Sequence, residues 1–397
     1  MKRSTFLVAA MLLVGSAMQA QDAQDEPKFT ITPTGRILLD GAAYFGGNGD
    51  HSDLDEGGGR FTSGAAIPDV RIGVKAGYGK WKAKIDMGFA YAKVNMKDIY
   101  IEYDFNKENL IRAGYFVQQF GLGAATSSSM KPSMEEPTSN EFFKAGPRMI
   151  GVMYEMDKAH YLGATSVYVE EEAIKRNASE MGRQGWGIQT RQLWRPKAET
   201  GSVAQVGLSL NYASPVYNSD EELDHDSFTF SANFPSRVSK VTDLKAVIPH
   251  AKGSYKLSPE LLLCSGKFAL EAQYFMLHVW RKDGFKGYTA QGAYGLLRGL
   301  LIGPNYGYDH AGGGLATPAP KSLECVLGYN YTNASDGSAE VWGGITNDIS
   351  CTFNYYINKY MIARLRYSYT NVRDRRIADM ADSRHVNTLQ ARLQIIF

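Results

Sequence analysis

The sequence predicts an all-β chain closed into a transmembrane antiparallel β-barrel, and three observations predict it. Side-chain character alternates with a period of two along most of the 397 residues. No stretch beyond the N-terminus approaches the roughly 18 to 20 uninterrupted apolar residues that a spanning helix needs. Aromatic residues gather at the ends of the alternating segments, as they do where strands cross the two membrane interfaces.

Composition agrees with this. Hydrophobic residues make up 44%, aromatic 12% and charged 21% of the chain, which is too much core-forming material for a disordered polypeptide. The 41 glycines are about 10% of the chain against an average of about 7%. With 24 Tyr and 18 Phe, this suits many short strands and turns.

The first 20 residues read as a secretory signal peptide. Lys2 and Arg3 form a basic start, Phe6 to Val14 an apolar core, and Gly15, Ser16 and Ala17 lead to a cut after Ala20, with Met18 standing where a small residue is usual. Residues 21–397 are then one barrel domain. Two of the 43 basic residues lie in the signal, leaving 41 against 41 acidic ones, so any electrostatic preference must be local.

The alternating segments follow in order. The first covers 35–45. In 66–78, Val70, Ile72, Val74, Ala76 and Tyr78 alternate with Asp69, Arg71, Gly73, Lys75 and Gly77. Only Gly79-Lys80 separates this from 81–91, where Trp81, Ala83, Ile85, Met87, Phe89 and Tyr91 make the apolar face, as a tight hairpin requires. Segments at 97–105, 110–117, 149–156, 161–169, 186–194, 203–212, 267–279, 287–299, 322–331 and 347–357 continue the pattern, and 361–369 and 389–397 close it. Within 213–264, the stretches 228–234 and 254–264 look like strands, separated by a segment with Pro249 and no clean alternation. An even count is required, so the expectation is 16 strands, with 18 as the alternative. Short links such as 106–109 and 358–359 alternate with long ones such as 46–64, 119–147 and 371–387, matching periplasmic turns and external loops.

Other chemistry finds little support. Cys264, Cys325 and Cys351 are an odd set with no close pair, so no disulfide framework or CxxC site is indicated. The seven His are scattered without metal-ligand spacing. Ser128-Ser129-Met130-Lys131 fits SxxK, but no SDN or KTG partner follows. Residues 53–57 have a calcium-loop flavour without the terminal Glu. No phosphate cradle and no basic-aromatic pattern for nucleic acid occurs, and no cofactor is expected.

Several stretches in order carry a resemblance: DVRIGVKAG at 69–77, VNMKDIYIEY at 94–103, IRAGYFVQQFGL at 111–122, TSSSMKPSMEEP at 126–137, GPRMIGV at 146–152, FALEAQYF at 268–275, LLIGPNYGY within 292–308, LECVLGYNY at 323–331 and the final RLQIIF. The chain resembles the phosphate-selective porin O and P family of bacterial outer-membrane channels over most of its length. The resemblance implies a 16-stranded barrel, a homotrimer in the outer membrane, and a loop at 121–147 folded into the lumen as its constriction. It also implies that Phe397 is read by the barrel-assembly machinery. Arg71 matches the last Arg of the family's Arg-rich strand start, whereas the preceding positions, often Arg, are Pro68 and Asp69 here, so "porin" carries over while phosphate and other anions both stay open as the solute.

Sorting charges by face gives the candidate pore-lining and anion-contacting residues: Arg36, Arg71, Lys75, Lys82, Lys84, Arg112, Arg364, Arg366 and Arg392 on strands, with Lys131, Lys144 and Arg148 from the loop. Arg191 and Lys267 fall on the same face, as do Asp40, Asp69, Asp86, Glu102, Glu271 and Asp348. Basic groups outnumber acidic ones, and a low-dielectric wall focuses such a field. The expected function is a non-enzymatic porin, a passive diffusion channel for small anionic or neutral hydrophilic solutes with mild anion preference. The alternative is a barrel used for surface binding or adhesion, or a barrel-embedded hydrolase.

Overall fold

A computed structural model describes residues 27–47, 61–91, 93–144, 146, 148–217, 225–376 and 383–397. The signal segment 1–20 and the acidic stretch 53–57 lie outside the described residues.

The alternating segments become strands β1 (Thr30–Gly47), β2 (Gly64–Tyr78), β3 (Trp81–Ala90), β4 (Lys93–Asp104), β5 (Asn109–Phe116), β6 (Met149–Lys158), β7 (Tyr161–Val169), β8 (Trp186–Glu199) and β9 (Ser202–Ala213). A hairpin, β10 (Phe228–Asn233) and β11 (Thr242–Ile248), comes next, then β12 (Ala251–Ser265), β13 (Phe268–Arg281) and β14 (Tyr288–Ile302). A second, very short hairpin, β15 (Tyr308–Asp309) and β16 (Gly314–Leu315), precedes β17 (Ser322–Asp336), β18 (Val341–Tyr356), β19 (Met361–Arg375) and β20 (Arg384–Ile396). Leaving out the two hairpins, sixteen strands pair each with the next in a closed antiparallel barrel. β1 pairs with β20, and Gly35 and Phe397 exchange backbone hydrogen bonds of 2.7 and 3.0 Å at the seam. Closure leaves no unpaired strand edge, which is what a sheet in lipid requires.

Period two sets the faces. Ile72 is 59% exposed and Phe268 71%, while Asp69 on the opposite face of β2 is 5% exposed. Trp81 and Tyr103 sit side by side on the outside of the turn end, ring centroids 4.7 Å apart. The outer face is thus the apolar one, facing lipid instead of a protein core.

Of the two ambiguous stretches, 254–264 is barrel strand β12, and 228–234 is not in the wall. Its alternation is real, with Phe228, Phe230 and Ala232 buried on one side, but period two reports a half-buried strand without saying what buries it. Here the hairpin lies inside the barrel. The inner-wall Arg366 Nη1 and Gln390 Nε2 donate to the Pro235 carbonyl at 3.4 and 2.9 Å, and Arg384 Nη2 donates to the Thr242 carbonyl at 2.9 Å.

The turn end also departs from expectation. The connection after β14 runs through 19 residues, 303–321, on the end where the other connections are tight. It folds inward, with the Gly312 and Gly313 carbonyls accepting from Arg191 at 2.9 and 3.2 Å and Tyr308 donating to Gln205 at 2.5 Å. The link expected at 371–387 is shorter than read, because β19 runs to Arg375 and β20 starts at Arg384.

These insertions give the molecule its apolar core, and that core is in the lumen. Phe120, Phe142, Phe143, Phe228, Phe230 and Leu244 pack with the inward-facing Phe275, Leu277, Leu296 and Val326 of the wall. Phe143 stacks on Phe275 at 5.4 Å and 7°. The inner faces of β13, β14 and β17 are therefore apolar in part, and the lumen beside them is filled by packed side chains.

Candidate functional site

The open half of the lumen is a cavity of about 850 Å³ against the inner faces of β1 to β6. The loop between β5 and β6 forms its inner side, and Ala311 and Gly312 of the 303–321 segment touch its edge. The loop is built to sit there. It opens with helix α1 (Gly121–Ala125) and later forms α2 (Thr138–Phe143). Gly121 has φ +75°, donates its N–H to Ser209 Oγ at 2.9 Å, and leaves space that a Cβ would take from Gln273, so glycine is required at this close approach. The other end is anchored when the Ser139 N–H and hydroxyl both donate to Asn330 Oδ1, at 3.0 and 2.6 Å.

Nine of the twelve predicted basic residues line this cavity: Arg36, Arg71, Lys75, Lys82, Lys84 and Arg112 from the wall, and Lys131, Lys144 and Arg148 from the loop. Five acidic residues line it with them. The charges repeat one arrangement, a carboxylate shared by two cations. Asp69 accepts from Arg36 and, at 3.0 Å, from Arg71. Asp98 holds Lys84 and Arg148, each at 2.6 Å. Glu102 holds Arg112 at 2.5 Å and Lys82 at 3.3 Å. Glu136 lies 3.3 Å from Lys144 and 3.8 Å from Lys131. Asp86 and Asp104 add second partners for Lys84 and Lys82, at 2.8 and 2.6 Å. Lys75, exposed, has no ion-pair partner among the described residues. Glu155 is 6% exposed, takes one hydrogen bond of 2.8 Å from Gln119, and has no ion-pair partner among the described residues.

The loop groups show what this sharing does. Burial by itself would raise the Glu136 carboxyl, but Lys144 and Lys131 outweigh it and hold the group down to about 2. Glu141, where burial dominates, is raised. Lys144, despite its own burial, is raised by Glu136 and Glu141.

Arg364, Arg366 and Arg392 are corrected by the structure. They face inward as predicted but do not line the cavity, because the loop and the β10–β11 hairpin cover them. Arg364 donates to the carbonyls of Lys131 and Ser129 at 2.7 and 2.9 Å. Arg366 donates to Asp348 at 2.9 Å. Arg392 holds Asp40 and Glu135, each at 2.6 Å, and the Met134 carbonyl at 2.9 Å. Arg364 and Arg392 are register partners, and two guanidiniums placed opposite each other would repel without these loop oxygens. Of the other face residues, Arg191 is buried against Glu260 at 2.7 Å, Glu271 against Arg298, and Lys267 lies in the exposed turn between β12 and β13.

The face reading passed over Asp98 and Glu155. Counting back by two from Glu102 reaches Asp98, and counting on from Met149 reaches Glu155, so the period could have found both. Ser128 and Lys131 have separate partners: Ser128 Oγ accepts from Arg36 at 2.9 Å, while Lys131 Nζ donates to the Gly123 carbonyl. Among the described residues no group of three or more metal-ligating side chains occurs, and no helix is long and apolar enough to cross a membrane.

A family profile described as phosphate-selective porin O and P matches residues 43–397. No curated protein matches the chain. Among solved structures, the anion-selective porin from Comamonas acidovorans superposes with a TM-score of 0.57 at 11% identity, covering 93% of this chain and 100% of its own. The trimer form of OmpT, an outer membrane protein of Vibrio cholerae, gives 0.56 at 8% identity, covering 93% and 99%. OmpF of Salmonella typhi in complex with daunomycin gives 0.54 at 11%, covering 95% and 100%. At these identities the likeness is one of fold.

Proposed function

We propose, from the premise that the chain belongs to the phosphate-selective porin O and P family, that it is a passive channel of the outer membrane with a mild preference for anions. The observation that carries this is the cavity wall, where nine basic residues stand against five acidic ones although the chain less its signal is neutral overall. Asp69 and Glu136 each serve two cations and leave those clusters a surplus of positive charge along the path, Lys75 adds to it, and the clusters around Asp98 and Glu102 are balanced by Asp86 and Asp104. Low-dielectric walls on both sides, lipid outside and the lumenal core inside, focus that surplus on the water-filled strip between them.

Flow needs no energy source and no catalytic group. A solute meets Lys144 and Arg148 on the loop side, passes Arg36 and Arg71 with Ser127 and Ser128 beside them, and leaves past Lys84, Lys82 and Lys75 toward the turn end. The loop sets the width, since Arg364 and Arg392 hold its backbone against β19 and β20 beside the cavity. A homotrimer, export through the segment 1–20 and assembly through Phe397 complete the reading, supported by the family and by the trimeric form of one similar barrel.

Reversal potentials of single channels in a KCl gradient test the preference: a potential displaced toward the chloride equilibrium value is expected, and a cation-selective or unselective channel would overturn it. Liposome swelling with sugars of graded size tests permeation, and impermeability to all of them would overturn the channel itself.

A further inference from the structure

The charges of the cavity are bound to one another in a way that bears on which anion the path suits. We infer that it takes hydroxylated organic monoanions of about monosaccharide size, sugar acids in chemical class, in preference to bare inorganic phosphate. This rests on the anion-path reading above and adds the ligand class to it.

Three observations carry the inference. The first is the shared carboxylates: Asp69, Asp98, Glu102 and Glu136 each occupy donors of two cations. Stripping water from a compact multivalent anion costs a great deal of free energy unless bare charged donors replace it. Here most donors are already engaged, and Lys75 alone among the lining cations lacks an ion-pair partner among the described residues. A single, diffuse negative charge asks for less.

The second is Glu155. It lines the path with one oxygen bonded to Gln119 at 2.8 Å and no cation in ion-pair reach. To a hydrogen phosphate dianion this carboxylate offers an acceptor for a single P–OH, set against the repulsion of two negative charges. To a sugar acid it is an acceptor for a hydroxyl, while the ligand's own carboxylate lies on the basic side.

The third is the pair of loop hydroxyls beside the cations. Ser127 and Ser128 accept from Arg36 at 3.3 and 2.9 Å; Ser127 also pairs with Ser129 at 3.3 Å, while the Ser128 hydroxyl keeps its own proton to donate into the cavity. The volume of about 850 Å³ falls in the range that holds small organic ligands, roughly 300 to 1,000 Å³.

The test uses the full-length protein in planar bilayers, adding glucuronate, inorganic phosphate, propionate or glucose and reading block of the KCl current. Glucuronate is expected to half-block at a concentration about tenfold below phosphate and propionate, the worth of one or two hydroxyl hydrogen bonds, with glucose weaker than glucuronate. Phosphate blocking as well as or better than glucuronate would overturn the inference, and so would propionate matching glucuronate. Glu155→Gln, checked for folding by heat-modifiable migration, is expected to shrink the glucuronate advantage several-fold, and an unchanged ratio would overturn the role given to Glu155. The KCl reversal potential of the same channels separates the two levels. An anion-selective channel without glucuronate preference overturns this inference alone, whereas a cation-selective one overturns the anion path as well.

Discussion

Replacing Asp69 by Asn removes one shared counter-charge while keeping its shape, and the size of the effect follows from the geometry. Asp69 is the ion-pair partner of both Arg36 and Arg71, and neither has another carboxylate within ion-pair distance among the described residues. An anion touching Arg71 lies about 6 Å from that carboxylate, the 3.0 Å pair distance plus about one further contact. At this range the Coulomb repulsion is about 0.7 kcal/mol in a water-like dielectric. A cation at the same place is favoured by as much, so the anion-to-cation permeability ratio should rise roughly tenfold at low ionic strength. Near 0.15 M salt, where the Debye length is about 8 Å, screening cuts this to about threefold. The assay is the reversal potential in a KCl gradient at two ionic strengths, on protein whose folding is verified by heat-modifiable migration. Arg36 keeps Ser127 and Ser128 as hydrogen-bond partners, so the site retains contacts to hold it. A folded variant whose ratio is unchanged, or shifts toward cations, would refute the shared-carboxylate account.

Other outcomes follow from the same contacts. Arg364→Gln removes donors to the Ser129 and Lys131 carbonyls and should loosen the loop, giving a larger and noisier conductance; an unchanged single-channel trace would count against the latch. Gly121→Val forces a side chain into Gln273 at φ +75° and should destabilise the loop by about 1–3 kcal/mol, seen as faster protease nicking within 117–148. Glu136 is held down to about 2 by Lys144 and Lys131, so its pairing stabilises the loop fully above the ordinary carboxylate value near 4.5. That contribution is lost as pH falls from about 4.5 toward 2. Channel noise recorded from pH 6 to 3 should therefore rise in the acid range, and Glu136→Gln should be noisy at every pH.

How much of this was legible in the sequence depends on what buries each residue. Where one face meets lipid and the other meets water, as in β2 and β3, Ile72, Val74 and Ile85 stand against Asp69, Arg71 and Lys84, and period two gives both strand and face. Along β13 the same period runs through Phe275, Leu277 and Val279, which face the lumenal core. The polar face is then no longer polar, and only the outer Phe268 and Trp280 fix the phase. The hairpin of β10 and β11 reads as strand for a sound reason and still cannot be placed, since nothing local distinguishes a wall strand from one lying against the inside of the wall. Arg364, Arg366 and Arg392 were legible as inward cations. Their work as anchors for loop carbonyls was not, because carbonyl partners leave no trace in side-chain identity. The sharing of carboxylates depends on cross-strand register: Asp98 comes near Lys84 through the irregularity where β3 and β4 pair, between Ile85 and Met87.

The dry core inside the barrel separates two dimensions that a hollow tube would tie together. The strand number sets the circumference presented to lipid, while the bore is set by the described residues of three insertions, between β5 and β6, between β9 and β12 and at 303–321, that stand outside the barrel ladder. Lengthening or trimming an insertion can therefore resize the bore while the wall keeps its register and its outer face. In the sequence, the bore and the wall are separately adjustable parts.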